Sequence, residues 1–235
     1  MKIFDTHYHI DRGTEGYNIQ PQKRNWIFNF TEQYKLQASS VPKDDTRTLI
    51  FDYNHQLPFI RQEIASGQLA ALKIHSRLLK ITDTDYSDLF DAFSPFSHFG
   101  LPVIMDAFYF GDELEVQPNL RRIAEMAKLF PETTFIIAHS GGIKVLEYFL
   151  HLKNLPNVVF ELSLSLSYLK HASVYKDFEV LLRFGDKNRI IFGTDFPYVD
   201  PADQLTQFLK ISREIALADE DQEKILYTNA NRIFG

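Results

Sequence analysis

Two histidines, His7 and His9, close the first apolar run of the chain, in Phe4-Asp5-Thr6-His7-Tyr8-His9-Ile10-Asp11. Alternate residues of a strand project to one face, so this spacing predicts both imidazoles side by side at a strand's C-terminal end. Neutral imidazole ligates zinc and similar divalent ions. Such a pair offers two ligands at a fixed angle but closes no site alone. Later apolar runs end in residues able to complete one. These are Lys73 and His75, again i and i+2; Asp106; His139, followed by Ser140-Gly141-Gly142; and Asp195, within Phe192-Gly193-Thr194-Asp195-Phe196-Pro197. Imidazoles and carboxylates both hold divalent metals and move protons.

Something must bring these dispersed residues together. Eight compact runs rich in Ile, Val, Leu or Phe read as strands buried on both faces: Lys2–His9, Asn25–Phe30, Thr48–Tyr53, Leu69–His75, Leu101–Ala107, Thr134–His139, Val158–Ser163 and Arg189–Asp195. Helical periodicity lies between several of them. Leu120, Ile123, Ala127 and Phe130 share a face that Pro131 ends, and Val174, Phe178, Leu181 and Leu182 share another, stopped by Gly185. Further helices are expected near Gln204–Ile215 and Asp219–Tyr227. Alternation of this kind predicts an α/β fold, a single-domain (β/α)₈ TIM barrel over residues 1–235. An open doubly wound sheet would carry a Gly-rich turn after its first strand, and that turn is His-rich here. Asp11–Lys23 reads as a loop over the barrel mouth. In such barrels the chemistry sits at the strands' C-terminal ends, where every residue named above falls.

Composition narrows the function. A formal net charge of −6 without a basic stripe argues against a nucleic-acid partner. The absence of cysteine excludes disulfides, Cys-ligated zinc and iron–sulfur clusters. No apolar stretch is long enough to span a membrane, and the start meets a charge too early for a signal peptide. The expectation is a soluble cytoplasmic protein acting on a small molecule, with a homo-oligomer left open.

Four motifs, in order along the chain, resemble the amidohydrolase superfamily, in its amidohydrolase-related branch with aminocarboxymuconate semialdehyde decarboxylase. Asp5-Thr6-His7-Tyr8-His9 matches its opening Asp-x-His-x-His. Phe135-Ile136-Ile137-Ala138-His139-Ser140-Gly141-Gly142 matches its strand-six motif, Gly193–Pro197 its Gly-[Ser/Thr]-Asp-x-Pro, and Asn229-Ala230-Asn231-Arg232-Ile233-Phe234 its closing helix. The resemblance implies a divalent metal, zinc first with manganese or iron as alternatives, held by His7, His9, Asp195 and Asp106. It implies Asp195 and His139 as catalytic groups, with Lys73, His75 and Arg77 toward substrate. One position departs: the family's strand-five histidine is Asp106 here. A carboxylate can ligate the ion, but it leaves a dication formally neutralised and a weaker Lewis acid, unless Lys73 offsets it. Otherwise Asp106 leaves that place to His75 or His139.

Each candidate has a plainer reading. Asp195 could cap the following helix, His139 could be a core histidine, and Asp106 could pair with Lys73. Glu161 and Ser163 rank behind the others and read first as barrel-interior residues. His55, His98, His151 and His171 read as surface. The expected activity is metal-dependent hydrolysis of a small-molecule amide, lactone or ester. The alternatives are a metal-dependent non-oxidative decarboxylase of an aromatic or dienoic acid, and a non-catalytic barrel that keeps a binding site.

Overall fold

Each of the eight apolar runs becomes a strand in the computed structural model, which describes residues 1–9, 15–110 and 119–235. The strands are β1 (Phe4–His9), β2 (Lys23–Phe28), β3 (Thr46–Ile50), β4 (Ala71–Ile74), β5 (Val103–Met105), β6 (Phe135–Ile137), β7 (Val158–Glu161) and β8 (Ile190–Ile191). They pair in parallel in sequence order. Backbone bonds from Thr6 N to Phe192 O (3.2 Å), Asp195 N to His7 O (2.7 Å) and His9 N to Phe196 O (2.9 Å) join β1 to the β8 segment and close the barrel. β2 begins two residues earlier than the apolar run suggested, because Lys23 and Arg24 pair with Phe4 and Asp5.

The described helices are α1 (Thr31–Gln37), α2 (Leu57–Ala65), α3 (Tyr86–Phe93), α4 (Asn119–Leu129), α5 (Val145–Leu152), α6 (Ser165–Tyr168), α7 (Tyr175–Phe184), α8 (Pro201–Glu214), α9 (Asp219–Glu223) and α10 (Asn229–Phe234). Local chemistry sets their ends. Asp200 caps α8 by accepting from Asp203 N at 2.9 Å, with Pro201 in the first turn. That leaves Asp195 without the capping role open to it in the sequence. The expected terminal helix is divided: a π-turn over Lys224–Thr228 separates α9 from α10. The proposed mouth loop, Asp11–Lys23, lies partly outside the described residues. No described helix is long and apolar enough to cross a membrane.

Inside the barrel, Phe4, Ile27, Ala71, Ile104, Ile136, Val159 and Ile191 meet Ala230 and Phe234 of α10. The Phe4 and Phe234 rings lie 5.7 Å apart. This apolar layer fills the N-terminal end of the barrel, so polar inward-facing residues can only gather at the other end. Truncating either ring to alanine is expected to cost about 3–5 kcal/mol. A larger apolar shell lies between the sheet and the helices.

Candidate active site

β1 carries an irregularity that aims its histidines. Asp5 pairs with Arg24 and Tyr8 with Trp26, so Thr6 and His7 together oppose Asn25 alone. This bulge leaves Phe4 inside and restarts the alternation at His7. Tyr8 then points outward, between the Trp26 ring (4.5 Å) and the Phe196 ring (5.5 Å). His7 and His9 point inward, as their spacing predicted.

Asp195 faces them across the barrel seam. Its Oδ1 lies 3.3 Å from His7 Nε2 and 3.1 Å from His9 Nε2. Asp195 adopts a left-handed backbone, φ +66°. Its own N–H to the His7 carbonyl holds it there, as does Thr194, which donates to Asp5 through N (2.8 Å) and Oγ1 (2.7 Å). Asp5 also accepts from Tyr17 OH at 2.8 Å. Burial raises the Asp5 carboxyl to about 6, against those hydrogen bonds.

The other side of the site comes from β4, β5 and β6. Asp106 lies between two histidines, with Oδ2 3.3 Å from His75 Nδ1 and Oδ1 3.4 Å from His139 Nε2. His139, Ser140, Gly141 and Gly142 form a left-handed turn, φ +51° to +88°. Ser165 Oγ donates to the His139 carbonyl (2.8 Å) and Ser140 Oγ to the Glu161 carbonyl (2.9 Å), which holds the strained non-glycine residues in place. The glycines are needed for approach as well as for φ. A Cβ on Gly142 would press on the Phe108 ring, and one on Gly141 on Tyr148.

Burial dominates the electrostatics. It brings His7 down to about 4, although Glu161 and Asp195 oppose it, and His75 down to about 3 against Asp106. Both rings are neutral at physiological pH. Burial also works against the carboxylates, but His75, the hydrogen bond from His139 and Lys73 hold Asp106 below the usual range. Asp195 is likewise held down, by His7, by the His9 ring against it and by His139. His139 goes the other way. Burial lowers it, but the hydrogen bond to Asp106 and the charges of Asp195, Asp106 and Glu161 raise it above its ordinary value.

A cavity of about 300 Å³ opens over these groups, lined by His9, Lys73, His75, Asp106, His139 and Asp195. Arg77 and the rings of Phe108, Phe110, Tyr168 and Tyr198 border it. His7 lies buried beneath, with Lys73 Nζ 3.4 Å from its Nε2. All the site residues expected from the sequence therefore surround one cavity, but in two groups. His7, His9 and Asp195 converge, whereas Asp106 joins His75 and His139. The four outlying histidines, His55, His98, His151 and His171, are exposed. The sequence reading underrated Glu161 and did not single out Asn29 or Asp5. Asp5 was visible only as a motif letter.

The converging group suits a divalent ion. Its ligand atoms lie within 4.8 Å of one another. The two separations from Asp195 Oδ1, 3.3 and 3.1 Å, match the edge of about 3.3 Å that a tetrahedron with zinc bonds of about 2.0–2.1 Å requires. His7, His139 and Glu161 form a second group of similar spread. There Glu161 is already committed to Thr6 and Ser163 hydroxyls at 2.9 and 2.6 Å and stands behind His7, away from the cavity lining.

Fold and site together define a TIM-barrel protein with a His/carboxylate centre at the strands' C-terminal ends. The sequence profile of the amidohydrolases matches residues 72–235, and the chain belongs to that family. Solved structures share the fold at low identity. A probable 2-pyrone-4,6-dicarboxylic acid hydrolase from Acinetobacter baumannii, with citric acid bound, is 14% identical, covers 100% of both chains and has a TM-score of 0.72. An uncharacterized TIM-barrel protein from Bordetella bronchiseptica is 16% identical over 94% of this chain and 79% of its own, TM-score 0.71. 4-Oxalomesaconate hydratase from Rhodopseudomonas palustris is 12% identical over 99% and 95%, TM-score 0.60. No curated protein matches.

Proposed function

We propose that the protein is a metal-dependent hydrolase of a small-molecule amide, lactone or ester that carries a carboxylate. The observation that carries this reading is the convergence of His7 Nε2 and His9 Nε2 on Asp195 Oδ1 beside the cavity, both separations being those of a tetrahedral edge. These three residues would hold the ion, with zinc the first candidate and manganese or iron the alternatives. When bound, a divalent ion polarises a carbonyl and makes water acidic enough to attack it at neutral pH. The chain's own groups do the rest. Asp195, held ionised, accepts a proton. His139, its proton affinity raised, holds one for the leaving group. Asp106 orients His139 from the side opposite Ser163, whose carbonyl lies 3.3 Å from His139 Nδ1. Lys73 within the cavity and Arg77 at its edge suit a substrate carboxylate, and the four bordering rings suit a flat body.

The structural neighbour named as a dicarboxylic acid hydrolase supports both hydrolysis and an acidic substrate. The placement of Arg77 beside the cavity also favours the decarboxylase reading, which needs a cation for the carboxylate. One experiment separates the readings: strip the protein with chelator, reload with Zn²⁺, Mn²⁺ or Fe²⁺, and assay lactones, esters and amides with and without a carboxylate. Ion-dependent hydrolysis is the expected result. Carbon dioxide release from aromatic or dienoic acids without hydrolysis transfers the assignment to a decarboxylase. Less than one stoichiometric ion after supplementation leaves a non-catalytic barrel.

A further inference from the structure

A neutral imidazole has one proton for two nitrogens, and the groups facing them decide its place. His7 Nδ1 faces both oxygens of Glu161 at 3.1 Å. An ionised carboxylate only accepts, so Nδ1 carries the proton. His7 Nε2 has Lys73 Nζ at 3.4 Å, and an ammonium only donates. Both sides of the ring therefore demand the same form, with a lone pair on Nε2. That lone pair faces Asp195 Oδ1, a second acceptor at 3.3 Å, and the two need a cation beside them.

Glu161 is built into this position. It accepts from Thr6 Oγ1 (2.9 Å), Ser163 Oγ (2.6 Å) and His139 N (3.3 Å). Gly193 makes room for it, since a Cβ there would meet Glu161 Oε1 and Thr6 Oγ1. His9 has a counterpart in Asn29, just past β2. Asn29 Nδ2 lies 3.4 Å from His9 Nδ1, while the buried Oδ1 of the same amide has no hydrogen-bond partner among the described residues. A half-turn of the amide exchanges the two atoms. Oδ1 then accepts from His9 Nδ1–H, the amide nitrogen takes the place Oδ1 held, and His9 Nε2 presents its lone pair to the same Asp195 Oδ1, 3.1 Å away.

We infer that Glu161 and Asn29 are positioning residues: two buried acceptors, one behind each histidine, that hold His7 and His9 in the Nδ1–H form and turn both Nε2 lone pairs toward Asp195. This deepens the metal-hydrolase reading and rests on it for one readout only, since ring protonation is measurable without any ion.

The test is ring ¹⁵N NMR of the metal-free protein at mildly alkaline pH, with Zn²⁺ affinity by chelator competition. Wild-type His7 and His9 should both be Nδ1–H. Glu161→Leu should release only His7 and Asn29→Leu only His9, each weakening Zn²⁺ binding about 10- to 100-fold. Asn29→Asp, whose carboxylate can only accept, should restore the His9 form and the affinity. Wild-type rings in the Nε2–H form overturn the inference even if no variant folds. So do leucine variants that keep both rings and bind Zn²⁺ within about twofold of wild type. Wild-type rings both Nδ1–H, released as expected in the variants, in a protein that binds no ion, uphold the positioning role and sink the metal reading instead.

Discussion

Two groups in the cavity share one composition, an aspartate between two histidines, and differ in geometry. Asp195 offers a single oxygen to His7 and His9, at 3.3 and 3.1 Å, so three ligand atoms converge. Asp106 divides its oxygens, Oδ2 toward His75 at 3.3 Å and Oδ1 toward His139 at 3.4 Å, and holds the two rings on opposite sides. The first arrangement suits one small cation. The second leaves His75 neutral and orients one ring, His139, whose proton affinity Asp106 raises, as an aspartate does for a catalytic histidine. Residue type does not make this difference. β1 delivers both histidines of the first group from one strand, whereas the second group is spread over three successive strands.

The sharpest break would come from exchanging the two aspartates' expected behaviour. Asp195→Ala should lower kcat/KM about 10⁴-fold and abolish stoichiometric zinc, read by elemental analysis. Asp106→Ala should keep the zinc. Equal loss of ion from both variants would make Asp106 a ligand and end the distinction. His139→Gln should cost about 10³-fold in kcat with zinc content unchanged, the signature of a proton-moving group rather than a ligand. Asp106→Asn should cost less, about 10- to 100-fold, and carry a pH signature. The hydrogen bond and charge of Asp106 help raise the His139 proton affinity. Removing that charge lowers it, so the limb of the kcat/KM profile governed by His139 should move to lower pH. An unmoved limb would detach Asp106 from His139. The smallest effect is expected at Lys73. Lys73→Met should raise KM for carboxylate-bearing substrates about tenfold with kcat less affected, and substrates without a carboxylate should not register the change.

The barrel itself was legible because strands buried on both faces must be apolar throughout, and the eight runs needed no alternation to be recognised. Their polar last residues were legible for the same reason, since Lys73, Asp106 and Asp195 stand out against Leu, Ile and Phe. Relations between strands were not. The bulge at Thr6 and His7 exists only in register with Asn25, and no local pattern contains it. Glu161 resembled any inward-facing residue of β7, because its partner His7 and the missing side chain of Gly193 lie on other strands. Asp106 could be placed at the site but not assigned to a side of it, since a strand end fixes depth in the barrel and not which neighbours a carboxylate will face.

β8 is only Ile190–Ile191, so the wall between β8 and β1 depends on the stretch just past it. There the Asp195 N–H bonds the His7 carbonyl at 2.7 Å, while the side chains of the same two residues face each other inside. Parting the wall at this seam and dismantling the site are thus one local opening. Amide hydrogens of Asp195 and His9 should exchange together, and whatever occupies the site should slow both while leaving the β3–β4 amides untouched. This seam of the cylinder serves as a gauge of occupancy.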